Sequence, residues 1–333
     1  MRTVLDSFAG MRSGRVIPSV CAVLLSGALA ACSGGGGDDG AGVVAGFYPL
    51  QFVAERVTGE AVANLTPAGA EPHDLELSAR DTTTLHDAAL VVYLADFTPA
   101  LDAVVRDLAA DRVFDVATAA RLTEHDDHDD DERGHDDDDH DDEHGHDDDD
   151  HDDDRDHAHE GADPHFWLDP QRLAGVATAL AERLAADDPD GAAAYRQRAA
   201  ALAGELDALD AEFAAGLADC EVTSLVTSHT AFGYLAARYG FTQVGIAGLS
   251  PDIEPAPGKL AEVTDFVNDH GVTTIYYETL VDPGVAETVA AEAGVSTAVL
   301  DPLEGLTAAS DGADYFSVMR ANLETLREGQ RCR

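Results

Sequence analysis

Basic residues are scarce in this chain. Twenty Lys and Arg stand against 65 Asp and Glu, giving a formal net charge of −45 over 333 residues. Such a chain is repelled by nucleic acid and by anionic lipid headgroups, and it attracts cations. Catalytic signatures are missing too. There is no HExxH, GxSxG or P-loop pattern, and no GxGxxG set between a strand and a helix, so the usual sequence grounds for an enzyme are absent. Long apolar runs are also lacking. The most apolar stretch, Val16 to Ala31, is too short and too rich in small residues for a spanning helix.

That stretch follows Arg12 and Arg15 and reads as a targeting segment, with Met11 an alternative start to Met1. It ends Leu29-Ala30-Ala31-Cys32 before Ser33 and a glycine run. This resembles a bacterial lipobox, in which the Cys32 thiol receives a diacylglyceryl group and anchors the chain outside the cytoplasmic membrane. Residues 1–31 are then a lipoprotein signal segment and 32–42 a flexible tether. Cysteine is limited to four. Cys21 would fall in the removed segment and Cys32 would be lipidated, which leaves Cys220 and Cys332. In an oxidising compartment a disulfide is their natural pairing, with two free thiols as the alternative.

Acidity is concentrated in one place. Residues 124–160 hold 23 acidic and two basic residues, Arg133 and Arg155, and nine of the 14 histidines. No apolar face exists there, so the tract is expected to be disordered. Its chemistry suggests weak, multiple, fast metal binding near the mouth of a tighter site. A solvated acidic spacer is the plainer alternative.

The rest of the chain alternates short apolar runs with helical periods. Strands are expected at 43–47, 61–65, 89–94 and 113–116, and again at 224–227, 242–246, 273–277 and 296–300, with helices between them. This is the pattern of parallel sheets covered by helices on both faces. The length allows two domains, each with its own core: an α/β lobe over 43–187 interrupted by the tract, and a second over 219–333. Between them, 188–218 reads as one long helix with apolar positions at Leu202, Leu206, Leu209 and Phe213.

Five histidines lie outside the tract. His86 and His270 fall in or at the end of helical patterns and receive no role. His73 (Glu71-Pro72-His73-Asp74), His165 (Asp163-Pro164-His165-Phe166-Trp167-Leu168-Asp169-Pro170) and His229 (Thr227-Ser228-His229-Thr230) occupy predicted strand ends or loops. In open α/β sheets ligands bind beyond the strand ends, and proline before two of these histidines stiffens the backbone. They are expected to bind a metal. Glu278, at the end of the 273–277 strand, is favoured as a fourth donor, with Asp282 the alternative. Three imidazoles and a carboxylate suit Zn²⁺, whereas a Mn²⁺ site favours more oxygen. A closed set of four fits binding rather than catalysis, so a metallohydrolase is not expected.

These stretches, with Ile253-Glu254-Pro255 and Tyr277-Glu278-Thr279-Leu280-Val281, resemble the metal-binding receptors of ABC importers. The likeness is to the zinc-type members of a cluster that also holds manganese receptors and adhesin lipoproteins. The resemblance implies two Rossmann-like (β/α) lobes joined by one long rigid helix, with the metal in the cleft. It assigns His73 and His165 to the first lobe, and His229 and Glu278 to the second. It also implies a disulfide between Cys220 and Cys332, and a monomer that carries Zn²⁺ to an ABC permease and its ATPase. A manganese or broad-specificity receptor, and an extracellular zinc buffer or adhesin without a transport role, are the alternatives.

Overall fold

In a computed structural model that describes residues 41–123, 161–251 and 253–333, the βα alternation closes into two parallel four-stranded sheets. The expected signal segment, Cys32, the tether as far as residue 40, and the tract 124–160 lie outside the described residues.

The first sheet contains β1 (Ala41–Ala45), β2 (Ala63–Asn64), β3 (Ala88–Tyr93) and β4 (Val113–Asp115), in the order β2-β1-β3-β4. The second contains β5 (Ser224–Thr227), β6 (Thr242–Gly245), β7 (Thr274–Tyr277) and β8 (Ser296–Val299), in the order β6-β5-β7-β8. The second order is the first with four added to each strand. In each sheet the chain steps to one side of its first strand and then to the other. That reversal opens a crevice beyond the strand ends. Strand β1 starts two residues before the apolar run that predicted it. Ala41 pairs with Ala88 through the backbone, which needs no apolar side chain and so leaves no periodic signal.

The first-lobe helices are α1 (Tyr48–Thr58), α2 (Ala79–Asp87), α3 (Pro99–Val105) and the short α4 (Ala117–Ala120). Ser78 caps α2 in a reciprocal box with Asp81, which satisfies two backbone donors that the first turn leaves open. The next two helices are α5 (Pro170–Asp187) and α6 (Ala192–Gly216). Asp169 caps α5, its Oδ1 accepting from Gln171 N at 2.9 Å, and Pro170 supplies the preset first φ. In the second lobe follow α7 (Gly233–Tyr239), α8 (Pro257–Asp269), α9 (Gly284–Ala293) and α10 (Tyr315–Gly329). No helix of the described residues is long and apolar enough to cross a membrane.

Leu202, Leu206, Leu209 and Phe213 line one face of α6 and are fully buried. Each contributes up to about 1.5–3 kcal/mol relative to exposure. Helix α6 packs on α5 and α1 and also on α10. The largest apolar cluster is therefore continuous. It runs from Val53 and Leu90 through Leu180, Leu202 and Phe213 to Leu225 and Tyr315. The expectation of a separate core in each half is corrected here: the halves share their main core, and only smaller clusters on the outer faces belong to one sheet alone. Periodicity reports that a helix face is buried, not which partner buries it. The sulfurs of Cys220, after α6, and Cys332, after α10, are bonded across a separation of 112 residues. The bridge fixes the end of the last helix to the end of the long one.

Candidate metal centre

The crevices of both sheets meet at a cluster of four side chains: His73, His165, His229 and Glu304. One donor atom from each lies within 4.8 Å of all the others. Glu304 Oε1 is 3.1 Å from His165 Nε2, 3.5 Å from His229 Nε2 and 3.6 Å from His73 Nε2. His165 Nε2 and His229 Nε2 are 3.4 Å apart. His165, His229 and Glu304 are fully buried, and His73 nearly so.

Local structure explains each position. His73 follows β2 in an irregular segment. Its backbone N–H donates to Glu71 Oε1 at 3.3 Å, and the Phe97 ring packs edge-on at 4.5 Å between centroids. His165 opens a 3₁₀ turn, Phe166–Leu168. Asp163 Oδ1 accepts from its backbone N–H at 2.9 Å and lies 2.8 Å from Nδ1, which turns Nε2 toward Glu304. His229 follows β5 at the reversal point of the second sheet. Its backbone N–H donates to Glu278 Oε1 at 3.2 Å, and its Nδ1 is 2.5 Å from Glu278 Oε2. Ser228 Oγ donates to the same carboxylate. Carboxylates behind the outer nitrogen fix the tautomer and make the inner nitrogen a better donor.

Three of the four residues expected from the sequence thus come together, and the fourth corner is corrected. Glu278 stands behind His229, on the side away from the other donors, and Glu304 takes the place expected of it. Asp282 is exposed, and its Oδ1 accepts from Gly284 N at the start of α9. Glu304 carries a signal in the sequence as well. It lies in the loop after β8, and the strand-end rule that selected Glu278 after β7 selects Glu304 once it is applied one strand further on. Leu303 just before it has a left-handed backbone (φ 60°), held by its N–H donating to Asp301 Oδ1 at 2.8 Å. That turn carries Glu304 back into the crevice, and sequence spacing does not show it. In the sequence, Asp163 shows only as part of the Asp163–Pro170 stretch.

Electrostatics describe a site poised for a cation. Burial opposes charge on Glu304, yet the three imidazoles outweigh it and hold the carboxyl well below its usual range. Burial also opposes protonation of His229, but Glu278 and Glu304 lift its imidazole to about 10. His165 is raised against burial by Asp163 and Glu304. Glu71, beside Glu304, is pushed up to about 9 by burial and then by that second carboxylate. Among the described residues, two buried atoms of these side chains, His73 Nε2 and Glu304 Oε2, have no hydrogen-bond partner. A buried polar atom left unpaired costs about 1–3 kcal/mol, and a metal ion would satisfy His73 Nε2.

Residues 43–329 match the family model described as ZnuA, zinc-uptake complex component A, periplasmic. The chain is 36% identical over 329 residues to the zinc-binding lipoprotein AdcA of Streptococcus pneumoniae serotype 4, covering 94% of this chain and 60% of that relative's length. It is 31% identical over 324 residues to the high-affinity zinc uptake system protein ZnuA of Bacillus subtilis, covering 95% and 97%. Among solved structures it superposes with a TM-score of 0.70 on the laminin-binding protein Lmb of Streptococcus agalactiae, described as a bifunctional protein with adhesin and metal transporting activity. That likeness is at 31% identity and covers 87% of this chain and all of that one. A match over nearly the whole described length, with two α/β lobes, means that the chain belongs to the ZnuA family.

Proposed function

We propose that this protein is an extracytoplasmic receptor that captures Zn²⁺ on His73, His165, His229 and Glu304 and hands it to an ABC-type permease. One observation carries the reading. A tetrahedral zinc with bonds of 2.0–2.1 Å needs donors spaced by about 3.3–3.4 Å; four of the six donor separations run from 3.1 to 3.6 Å, and all lie within 4.8 Å. Zinc is the cargo here, not a resident cofactor. Three nitrogens and one oxygen favour it over Mn²⁺, which takes more oxygen donors. All four corners come from the protein, so no position is left for an activated water, and the site binds rather than catalyses. The names of the relatives from S. pneumoniae and B. subtilis support zinc as the ion.

The chain acts as a monomer held to the membrane by a lipid on Cys32, and partners a permease and its ATPase. The boundaries at 187 and 218 divide it into two lobes and a linking helix. The test is competitive titration against a chromophoric chelator. One tight equivalent of Zn²⁺, displaced only weakly by Mn²⁺, is expected. Equal affinity for Mn²⁺ would replace zinc with a broad-specificity reading.

A further inference from the structure

The stretch Asp163–Trp167 belongs to the first lobe by chain order, yet its buried hydrogen bonds lead to the second. Tyr234, in the first turn of α7, donates its hydroxyl to Asp163 O at 2.8 Å. Trp167 donates its indole N–H to Pro302 O at 2.7 Å, and Tyr315, the first residue of α10, donates its hydroxyl to Trp167 O at 2.7 Å. Trp167 and Tyr315 are fully buried and Tyr234 is 4% exposed. Gly233 leaves the room this needs: a Cβ there would lie 2.7 Å from Asp163 Oδ2. His165 is therefore gripped from the second lobe two residues before and two residues after its own position.

The grip also reaches the other side of the site. Pro302 lies two residues before Glu304, and the left-handed Leu303 stands between them. Asn322 of α10 braces the same turn from behind, its Oδ1 accepting from Asp301 N at 2.9 Å and its Nδ2 donating to Asp301 O at 2.7 Å. The indole N–H of Trp167 thus binds the backbone that delivers Glu304 while its own chain carries His165. His73 differs. The carbonyl of Pro72 beside it accepts from Thr98 Oγ1 of its own lobe at 3.0 Å, and the segment meets the second lobe only at the site itself, where Glu304 faces Glu71 and His73.

Resting on the receptor reading above, we infer that Trp167 and Tyr234 are positioning residues that clasp the His165 segment onto the second lobe. The clasp preassembles His165, His229 and Glu304 as a three-donor platform before any metal arrives, and it sets the spacing between His165 and Glu304. Hydrogen-bond donors whose loss strands a buried carbonyl act through energies large enough to matter here. Preset donors avoid an ordering cost at the moment of binding.

The experiment uses the full-length protein with Zn²⁺ and Co²⁺ as probes. Tyr234→Phe and Tyr315→Phe each remove one hydroxyl and keep the ring. Trp167→Phe removes the indole donor. Tyr195→Phe, which loses only a surface hydrogen bond to Asp188, is the control. Zinc affinity should fall about tenfold in each clasp variant and stay at the wild-type value in the control. The visible Co²⁺ absorption of the clasp variants should lose intensity, because the donor set departs from a tetrahedron. Unchanged affinity and an unchanged Co²⁺ spectrum in the clasp variants overturn the inference. So does a loss of affinity that only tracks a lower melting temperature of the metal-free protein while the spectrum stays as in wild type. Wild-type protein that takes up neither ion at one equivalent removes the receptor reading and this inference together. Normal wild-type binding beside unchanged variants removes the inference alone.

Discussion

The two lobes repeat one strand order and contribute unequally to the site. The second supplies His229 and Glu304 from loops at its strand ends, and Glu278 stands behind His229. The first supplies His73 from an irregular segment, with an aromatic edge against the ring and, among the described residues, no carboxylate paired with its Nδ1. It also supplies His165, whose neighbours are bonded to the second lobe. A shared topology therefore provides the crevice, and the groups behind each imidazole decide how firmly a donor is set.

Removing the donor that faces all three imidazoles should break this arrangement most severely. Glu304→Gln takes away the charge that faces three imidazoles, and zinc affinity should drop by more than the roughly hundredfold upper range for losing a supporting carboxylate. His165→Ala should do the same with the fold intact by circular dichroism. If Glu278→Gln proved more damaging than Glu304→Gln in chelator competition, Glu278 would be the donor and Glu304 its support.

The supporting carboxylates come next. Asp163→Asn and Glu278→Gln keep size and lose charge, and each should weaken zinc binding about ten- to a hundredfold. Glu71→Gln, on the His73 side, should cost much less, because burial and Glu304 already keep that carboxyl largely protonated near neutrality. Comparable losses from all three would mean that the two lobes support their donors alike.

Protons compete with zinc most strongly on the second lobe. His229 has an ordinary value of 6.5 and is raised to about 10 in the metal-free fold. A raised value in the folded state stabilises the metal-free protein fully below about pH 6.5, and that contribution is lost as pH rises through about 10. Zinc needs the unprotonated Nε2, so its affinity should rise across the same window, by up to about tenfold per pH unit for the one proton displaced. Titrations from pH 6 to 9 read this slope. A flat profile above pH 7 would show that His229 is already neutral before metal binds.

Much of this was legible in the sequence. The βα alternation marked all eight strands of the described residues, because buried parallel strands leave short apolar runs. Three histidines stood out because they hold equivalent places at predicted strand ends or loops, two of them just after a proline. The fourth donor was harder. Glu278 and Glu304 both follow strands, and only the turn at Leu303 and the pairing of Glu278 with His229 separate them. The shared core was hidden for a similar reason: Leu202, Leu206, Leu209 and Phe213 show a buried face on α6 without naming the helices that cover it. Tertiary partners, not local pattern, decided both.

Deleting the tract 124–160 should have the smallest effect on the site itself. Thr123 and Asp163 flank it, and Asp163 N donates to Thr123 O at 3.3 Å. The Tyr234 hydroxyl accepts from Thr123 N at 3.0 Å and donates to Asp163 O. The two ends therefore meet on one second-lobe side chain, and a short Gly-Ser link can replace the tract without pulling on Asp163 or His165. The deletion protein should keep its one tight zinc site at the wild-type affinity. It should lose the weak additional equivalents that nine histidines among aspartates would hold. Isothermal titration past one equivalent separates the two classes. A fall in the tight affinity would mean that the tract reaches the site through the Tyr234 node, and that the first lobe's contribution does not end at His73 and His165.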